Sequence, residues 1–341
     1  MNIAICNIYG DVYNKDRLFD LDSCKIGENL LLPGIMLKKR LEELGHNFHT
    51  ADMYDFDDID VLIFQDLNKD SRLTLETPVD HMKYFLKRKW RKDYLYKSIK
   101  SKKRVKKILI MQEPNTVCPQ SYNEKYHKYF DAILTWNDDY LKSDKYHKFQ
   151  YPQVPAGKKY DIPFEVKKFA AMIAGNKKSR EANELYSKRY EAIRFFDNHS
   201  YEFDLYGYGW EKENIKNYRG KIDQKLDTLS NYKFSICYEN MCNVKGYITE
   251  KIFDCFFAGV IPVYWGADNI TDYVPADTFV DRRKFRDMDE LCQFLEHMTC
   301  DEYKKHIDSI NTFLDSDTFE KEFSVDSYIG RITQLLDYKD H

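Results

Sequence analysis

The densest group of chemistry-bearing residues lies in three runs: Tyr232-Lys-Phe-Ser-Ile-Cys-Tyr-Glu-Asn240, Lys245-Gly-Tyr-Ile-Thr-Glu-Lys-Ile-Phe-Asp254 and Ala258-Gly-Val-Ile-Pro-Val-Tyr-Trp-Gly266. The pattern predicts strand, loop, helix and strand, with Thr249 as the N-cap, Ile252, Phe253, Phe256 and Phe257 as a buried stripe, and Gly259 closing the helix. A helix that opens at the carboxyl end of a parallel strand offers unpaired N–H groups and a positive dipole end, which suit a phosphate or diphosphate. Glu250 in the first turn complements the dipole without needing a function. Lys251 opposes it and needs an offsetting anion, which a nucleotide diphosphate would supply. Asn240 and Tyr247 either pack and close the turn, or face the same mouth with amide and hydroxyl groups suited to a sugar and a ribose.

Other chemistries are less well provided for. Eight cysteines, Cys24 among them, are scattered with no C-x-x-C pair, and they read as free thiols. No histidine forms a metal-ligand motif. The Asp-x-Asp pairs at Asp55/Asp57 and Asp58/Asp60 precede a strand instead of following one, and Asp315/Asp317 falls in a late loop. Gly207-x-Gly209 lacks the third glycine of a dinucleotide fingerprint.

The elements that must position these residues alternate between strand and helix, the signature of a doubly wound α/β architecture. Expected in the first half are strands at 3–8, 47–51, 60–64, 107–111 and 132–136, with a helix at 29–44 ended by Gly45. A Pro- and Lys-rich stretch at 151–168 reads as a crossing between lobes. The second half reads as strand 169–173, helix 181–197, strand 203–206, strand 234–238, helix 250–258 and strand 260–264. The expected domains are 1–157 and 158–341, with the last helix able to pack back on the first lobe.

Composition excludes several classes. The chain has 341 residues, 53 Lys+Arg against 56 Asp+Glu and a net charge of -3, so it is no nucleic-acid-coating polyelectrolyte. The longest charge-free apolar stretch, 255–267, is interrupted by Gly259 and Pro262 and falls short of the ~20 residues of a membrane helix. The start, Met-Asn-Ile-Ala-Ile-Cys-Asn, lacks the pattern of a secretory signal, and the expectation is a cytoplasmic protein. From Lys83 to Lys107 there are thirteen Lys or Arg and one acid, Asp93, with Tyr84, Phe85, Trp90, Tyr94 and Tyr96 interleaved. That run reads either as a solvated helix face or as a seat for an anionic surface, which would place the protein peripherally on a membrane; nucleic acid is not the expected partner.

The run Y-E-N, G-Y-I-T-E-K-I-F and A-G-V-I-P-V-Y-W-G resembles the donor-site signature of glycosyltransferase family 10, the α-1,3/1,4-fucosyltransferases. Weaker echoes are Ile133-Leu-Thr-Trp136 and Phe203-Asp-Leu-Tyr-Gly-Tyr-Gly-Trp210. The resemblance implies a GT-B fold, two Rossmann-like doubly wound lobes facing a central cleft, with the acceptor lobe first and the GDP-fucose lobe second. It implies inverting, metal-independent transfer of L-fucose to a hydroxyl of a GlcNAc- or glucose-containing glycan, α-1,3 in type, with no cofactor beyond the donor. It places Asn240, Tyr247, Thr249, Glu250 and Lys251 at the donor, with Glu250 also catalytic. Arg189 corresponds to the family's diphosphate-binding arginine, with Arg180 and Arg194 as alternatives. A sibling enzyme using another GDP-6-deoxysugar and a non-catalytic sugar-nucleotide or membrane-binding protein are the other readings.

Inverting transfer needs a carboxylate to deprotonate the attacking hydroxyl and fixed cations to hold the departing diphosphate. Glu113 follows a buried strand, and Glu113-Pro114 to Pro119 resembles the family's E-S-P-x-x-x-P segment without its serine. It is the candidate base; the alternative is a solvent-facing loop glutamate.

Overall fold

The computed structural model describes residues 1–23, 29–155, 157–158 and 160–337. Cys24 lies outside them; the other seven cysteines are free thiols.

The chain forms two compact units. In the first, β1 (Asn2–Cys6), α1 (Leu32–Glu43), β2 (Asn47–Thr50), β3 (Val61–Gln65), α2 (Pro78–Leu86), α3 (Tyr94–Lys100), β4 (Lys106–Met111), β5 (Ala132–Thr135) and β6 (Tyr146–Lys148) follow one another. The sheet is parallel throughout, in the order β2-β1-β3-β4-β5-β6. Continuous apolar runs such as Ile108–Met111 are buried, as a sheet covered on both sides requires. Gly45 takes φ +81°, the left-handed conformation that ends α1.

The second unit, Gln150–Ser324, contains β7 (Lys168–Ile173), α4 (Tyr186–Asn198), β8 (Phe203–Tyr206), α5 (Lys225–Leu229), β9 (Tyr232–Tyr238), α6 (Glu250–Phe257), β10 (Ile261–Trp265), β11 (Val280–Asp281), α7 (Met288–His297), α8 (Cys300–Leu314) and α9 (Asp317–Phe323). Its parallel sheet runs β11-β10-β9-β7-β8. Counted within the unit, this is the same 2-1-3-4-5 winding as the first five strands of the other sheet. The final helix, α10 (Val325–Asp337), belongs to the first unit, where Lys106 Nζ donates to Leu335 O at 2.5 Å.

The division falls at Phe149/Gln150, ahead of the expected 157/158. The stretch read as a crossing begins inside the second unit: the Gln153 N–H donates to Phe323 O at 2.7 Å.

In an open sheet of this winding, ligands bind beyond the carboxyl ends of the strands where the order reverses. Those points are β1/β3 in the first unit and β7/β9 in the second. The candidate residues belong to segments near these points.

Candidate functional site

Strand β9 is central, paired to β10 and β7, and all of its residues except Lys233 are buried. Its last residue, Tyr238, delivers the chain into a loop whose turns are made by Asn243 at φ +57° and Gly246 at φ +78°. Helix α6 follows, burying Ile252, Phe253, Cys255 and Phe256, with Phe257 only partly buried against the same core. Gly259 closes it at φ +63°.

The first residue after β9 organises the helix start. Glu239 has no exposure. Its Oε1 accepts the Thr249 N–H at 2.9 Å and its Oε2 the Thr249 hydroxyl at 2.7 Å. Lys251 Nζ stands 3.2 Å from the same Oε2, 2.9 Å from Thr249 Oγ1 and 3.2 Å from Glu250 Oε1. The cation that opposes the helix dipole thus has two counterions within the protein, so the sequence argument that it needs an external anion is not required by the structure. A Cβ on Gly266 would come within 2.6 Å of Glu239 Cγ and 2.3 Å of the Tyr264 hydroxyl, which explains the glycine there.

Arg189, on α4, is buried and reaches the same strand end. Its Nε and Nη2 donate to Tyr238 O at 3.1 and 2.7 Å, and Nη2 to Asn240 Oδ1 at 3.0 Å. Tyr247 is buried as well, and its carbonyl accepts the Tyr264 hydroxyl at 3.3 Å. The structure therefore gathers Arg189, Asn240, Thr249, Glu250 and Lys251 at one strand end. Arg180 is exposed on the loop after β7, and Arg194 turns to Asn214 O at 2.8 Å.

Burial alone would lower the Lys251 pKa, but Glu239 and Glu250 overcome it and hold the ammonium protonated. Glu250 has half of its side chain exposed; partial loss of solvent around its carboxyl pushes upward while Lys251 and Lys225 pull harder, bringing it to about 2. An ion pair between Lys225 and Asp254 adjoins the group.

In the first unit a second constellation forms around Glu113. Its side chain accepts the Tyr9 hydroxyl at 2.5 Å, its N–H donates to Asp66 Oδ2 at 2.8 Å, and its carbonyl accepts the Tyr122 hydroxyl at 2.8 Å. Asp66 directly follows β3, is buried, and takes the Ser121 hydroxyl on Oδ1 at 2.9 Å. Burial drives its pKa to about 8, against the N–H and hydroxyl donors that favour the ionised form.

Tyr9, Asp66 and Glu239 were not singled out from the sequence. For Glu239 and Asp66 the signal was available: each is an acid just past the end of a mostly apolar strand, where burial obliges it to find partners.

Two parallel-sheet units of this winding in one chain match the GT-B architecture of the solved structures that the chain resembles. The chain is similar over its whole length to a crystal structure of alpha1,3-fucosyltransferase with GDP-fucose, with a TM-score of 0.54, 16% identity and 91% of that chain covered. It is similar to an alpha-glucosyltransferase in complex with UDP-glucose and abasic DNA, with a TM-score of 0.56, 13% identity and 99% of each chain covered.

Sequence adds a match to one segment. Residues 165–325 match the model of glycosyltransferase family 10 (fucosyltransferase) C-term, which places this segment in that family. Relatives include the alpha-(1,3)-fucosyltransferase FucT of Helicobacter pylori, 35% identical over 23% of this chain and 16% of the relative. An alpha-(1,4)-fucosyltransferase of Arabidopsis thaliana is 39% identical over 20% of this chain and 17% of the relative. The 4-galactosyl-N-acetylglucosaminide 3-alpha-L-fucosyltransferase 9 of Mus musculus is 32% identical over 31% of this chain and 29% of the relative. The chain thus matches less than a third of the length of each of these relatives.

Proposed function

We propose that this protein transfers L-fucose from GDP-fucose to a glycan hydroxyl, α-1,3 in type and with inversion at the anomeric carbon, without a metal ion. The observation that carries the reading is the convergence of Arg189, Asn240, Thr249 and Lys251 at the carboxyl end of β9, within the segment that matches the fucosyltransferase family. In this reading the departing diphosphate is held by Lys251, by Arg189 through Nη1, the guanidinium nitrogen outside the contacts described, and by the first N–H groups of α6. Asn240 and Tyr247 border the sugar nucleotide. The acceptor is a GlcNAc- or glucose-containing oligosaccharide, and the reaction belongs to the cytoplasm.

The two catalytic carboxylates take different roles. A carboxyl brought to about 2 is a poor proton acceptor at neutral pH, so Glu250 serves as a fixed negative charge facing the positive charge that develops on the sugar. Glu113 is then the base: it takes the acceptor proton as the new C–O bond forms and the bond from the anomeric carbon to the phosphate oxygen breaks. Tyr9, bonded to its Oε1, orients it.

Glu113→Gln tests the assignment. Transfer from GDP-fucose to lactose or N-acetyllactosamine is expected to fall by at least ~100-fold, the scale of general-base assistance, with GDP binding unchanged. Near-normal turnover would remove Glu113 from the role.

A further inference from the structure

The basic run of Lys83 to Lys107 divides in the structure. Its latter part is used internally: Lys103 Nζ donates to Asp57 O at 2.7 Å, Lys106 to Leu335 O at 2.5 Å, and Lys107 lies 3.7 Å from Asp131. Its earlier part follows a different logic. Helix α2 opens on Thr77, whose hydroxyl accepts the Asp80 N–H at 3.1 Å, with Pro78 in the first turn. Only Tyr84 is buried on it, anchored by its hydroxyl to Asp93 Oδ2 at 2.9 Å.

The remaining apolar residues of α2 face outward: Val79, Met82, Phe85 and Leu86 are 50%, 55%, 52% and 73% exposed. Their spacing, i, i+3, i+6 and i+7, places them along one stripe. Single exposed apolar residues are ordinary, but four on one nine-residue helix form a patch that a solvated face has no reason to keep. Lys83, Lys87 and Arg88 are exposed around it, and Lys89 and Lys92 follow, paired to Asp70 and Asp11.

We propose that α2 and the basic turn after it, residues 78–92, dock on an anionic lipid bilayer, with the apolar stripe entering the interface and the cations meeting the headgroups. The charge of the turn selects a negative partner. The exposed stripe, with the Arg72 guanidinium 5.8 Å from the Phe85 ring centroid adding a cation beside it, suits a fluid surface. At nine residues α2 spans about 14 Å, too short to cross the ~30 Å hydrocarbon core, so it lies along the surface.

The test is co-sedimentation of the full chain with phosphatidylcholine vesicles with and without phosphatidylglycerol, at low salt and at 1 M salt. The docking surface predicts pelleting that requires phosphatidylglycerol and is lost at 1 M salt, where the Debye length is about 3 Å. Lys87→Ser with Arg88→Ser should weaken partitioning roughly thirty-fold, at the contribution of ~1 kcal/mol for each cation near an anionic surface. Met82→Ser with Leu86→Ser should weaken it too, with unchanged circular dichroism and thermal midpoint because both side chains are exposed. Pelleting indifferent to lipid charge and salt, variants that pellet like the parent, or self-association through this helix in place of vesicle binding would each overturn the proposal.

Discussion

Lys251 Nζ stands 3.2 Å from Oε2 of Glu239, a carboxylate with no solvent exposure that also accepts both hydrogen-bond donors of Thr249. A strand end and a helix start are thereby locked through one buried acid, and the position of the cation at the mouth of α6 is inherited from β9. Lys251 keeps 22% of its side chain exposed, so its counterions do not seal it from a ligand.

Removing that acid should destabilise the fold. Glu239→Ala leaves Lys251 without its buried counterion and the Thr249 N–H and hydroxyl without an acceptor. Breaking a buried pair costs ~3–5 kcal/mol, and the partial exposure of Lys251 places the expected loss near the lower figure. Urea unfolding of parent and variant measures it; a loss below about 0.5 kcal/mol, the range of ordinary surface substitutions, would show that Glu239 does not hold the helix start.

Gly266→Ala makes the same point sterically. The added methyl would sit 2.6 Å from Glu239 Cγ and 2.3 Å from the Tyr264 hydroxyl, both belonging to buried residues. Overpacking of this kind costs ~1–3 kcal/mol. Displacing Glu239 should also loosen Lys251, so a lower thermal midpoint is expected together with weaker GDP binding. Parent-like values for both would contradict the tight packing.

Asp66 gives the pH dependence a direction. Its native pKa of about 8 lies above the ordinary 3.8, so between these values the unfolded chain has released a proton that the native chain keeps. The associated stability is fully present below pH 3.8 and is lost as pH rises through 8, at up to about 1.4 kcal/mol per unit. Asn at this position has nothing to titrate and tolerates the φ of +59°. Denaturant unfolding at pH 5 and pH 8 should show the parent losing more stability than Asp66→Asn over that interval. Parallel profiles would contradict it.

Much of this architecture was legible because buried parallel strands are written as largely apolar runs: β3, β4 and β10, and β9 despite Lys233 and Ser235, fall within two residues of expectation. The short edge strands β6 and β11 were not, since three and two residues without a full apolar run carry no such signal. The charge run from Lys83 allowed a solvated helix face but gave no bounds for α2, which begins ahead of it at Pro78, or for α3. Helix α4 starts at Tyr186 instead of 181 because the residues before it pair elsewhere: the Leu185 N–H donates to Asn240 O at 3.0 Å and Asn183 O accepts the Cys242 N–H at 2.8 Å. Those tertiary bonds override local helical preference, and they set the register that brings Arg189 to Asn240. The donor-side residues were readable from a motif, whereas their buried anchor Glu239 shows its role only when β9 and α6 are seen to meet.

In the proposed function the end of β9 and the start of α6 bind a guanosine diphosphate sugar through protein cations alone. Thermal unfolding in EDTA with GDP, GDP-fucose or UDP tests it most directly, because a ligand at 100 times its dissociation constant adds about 2.7 kcal/mol to stability. That should raise the midpoint by about 4 °C for a chain of 341 residues. Such a rise is expected with GDP and GDP-fucose, none with UDP, and the GDP response should be lost in Lys251→Ala. No rise without added metal, or a response to UDP in place of GDP, would contradict it.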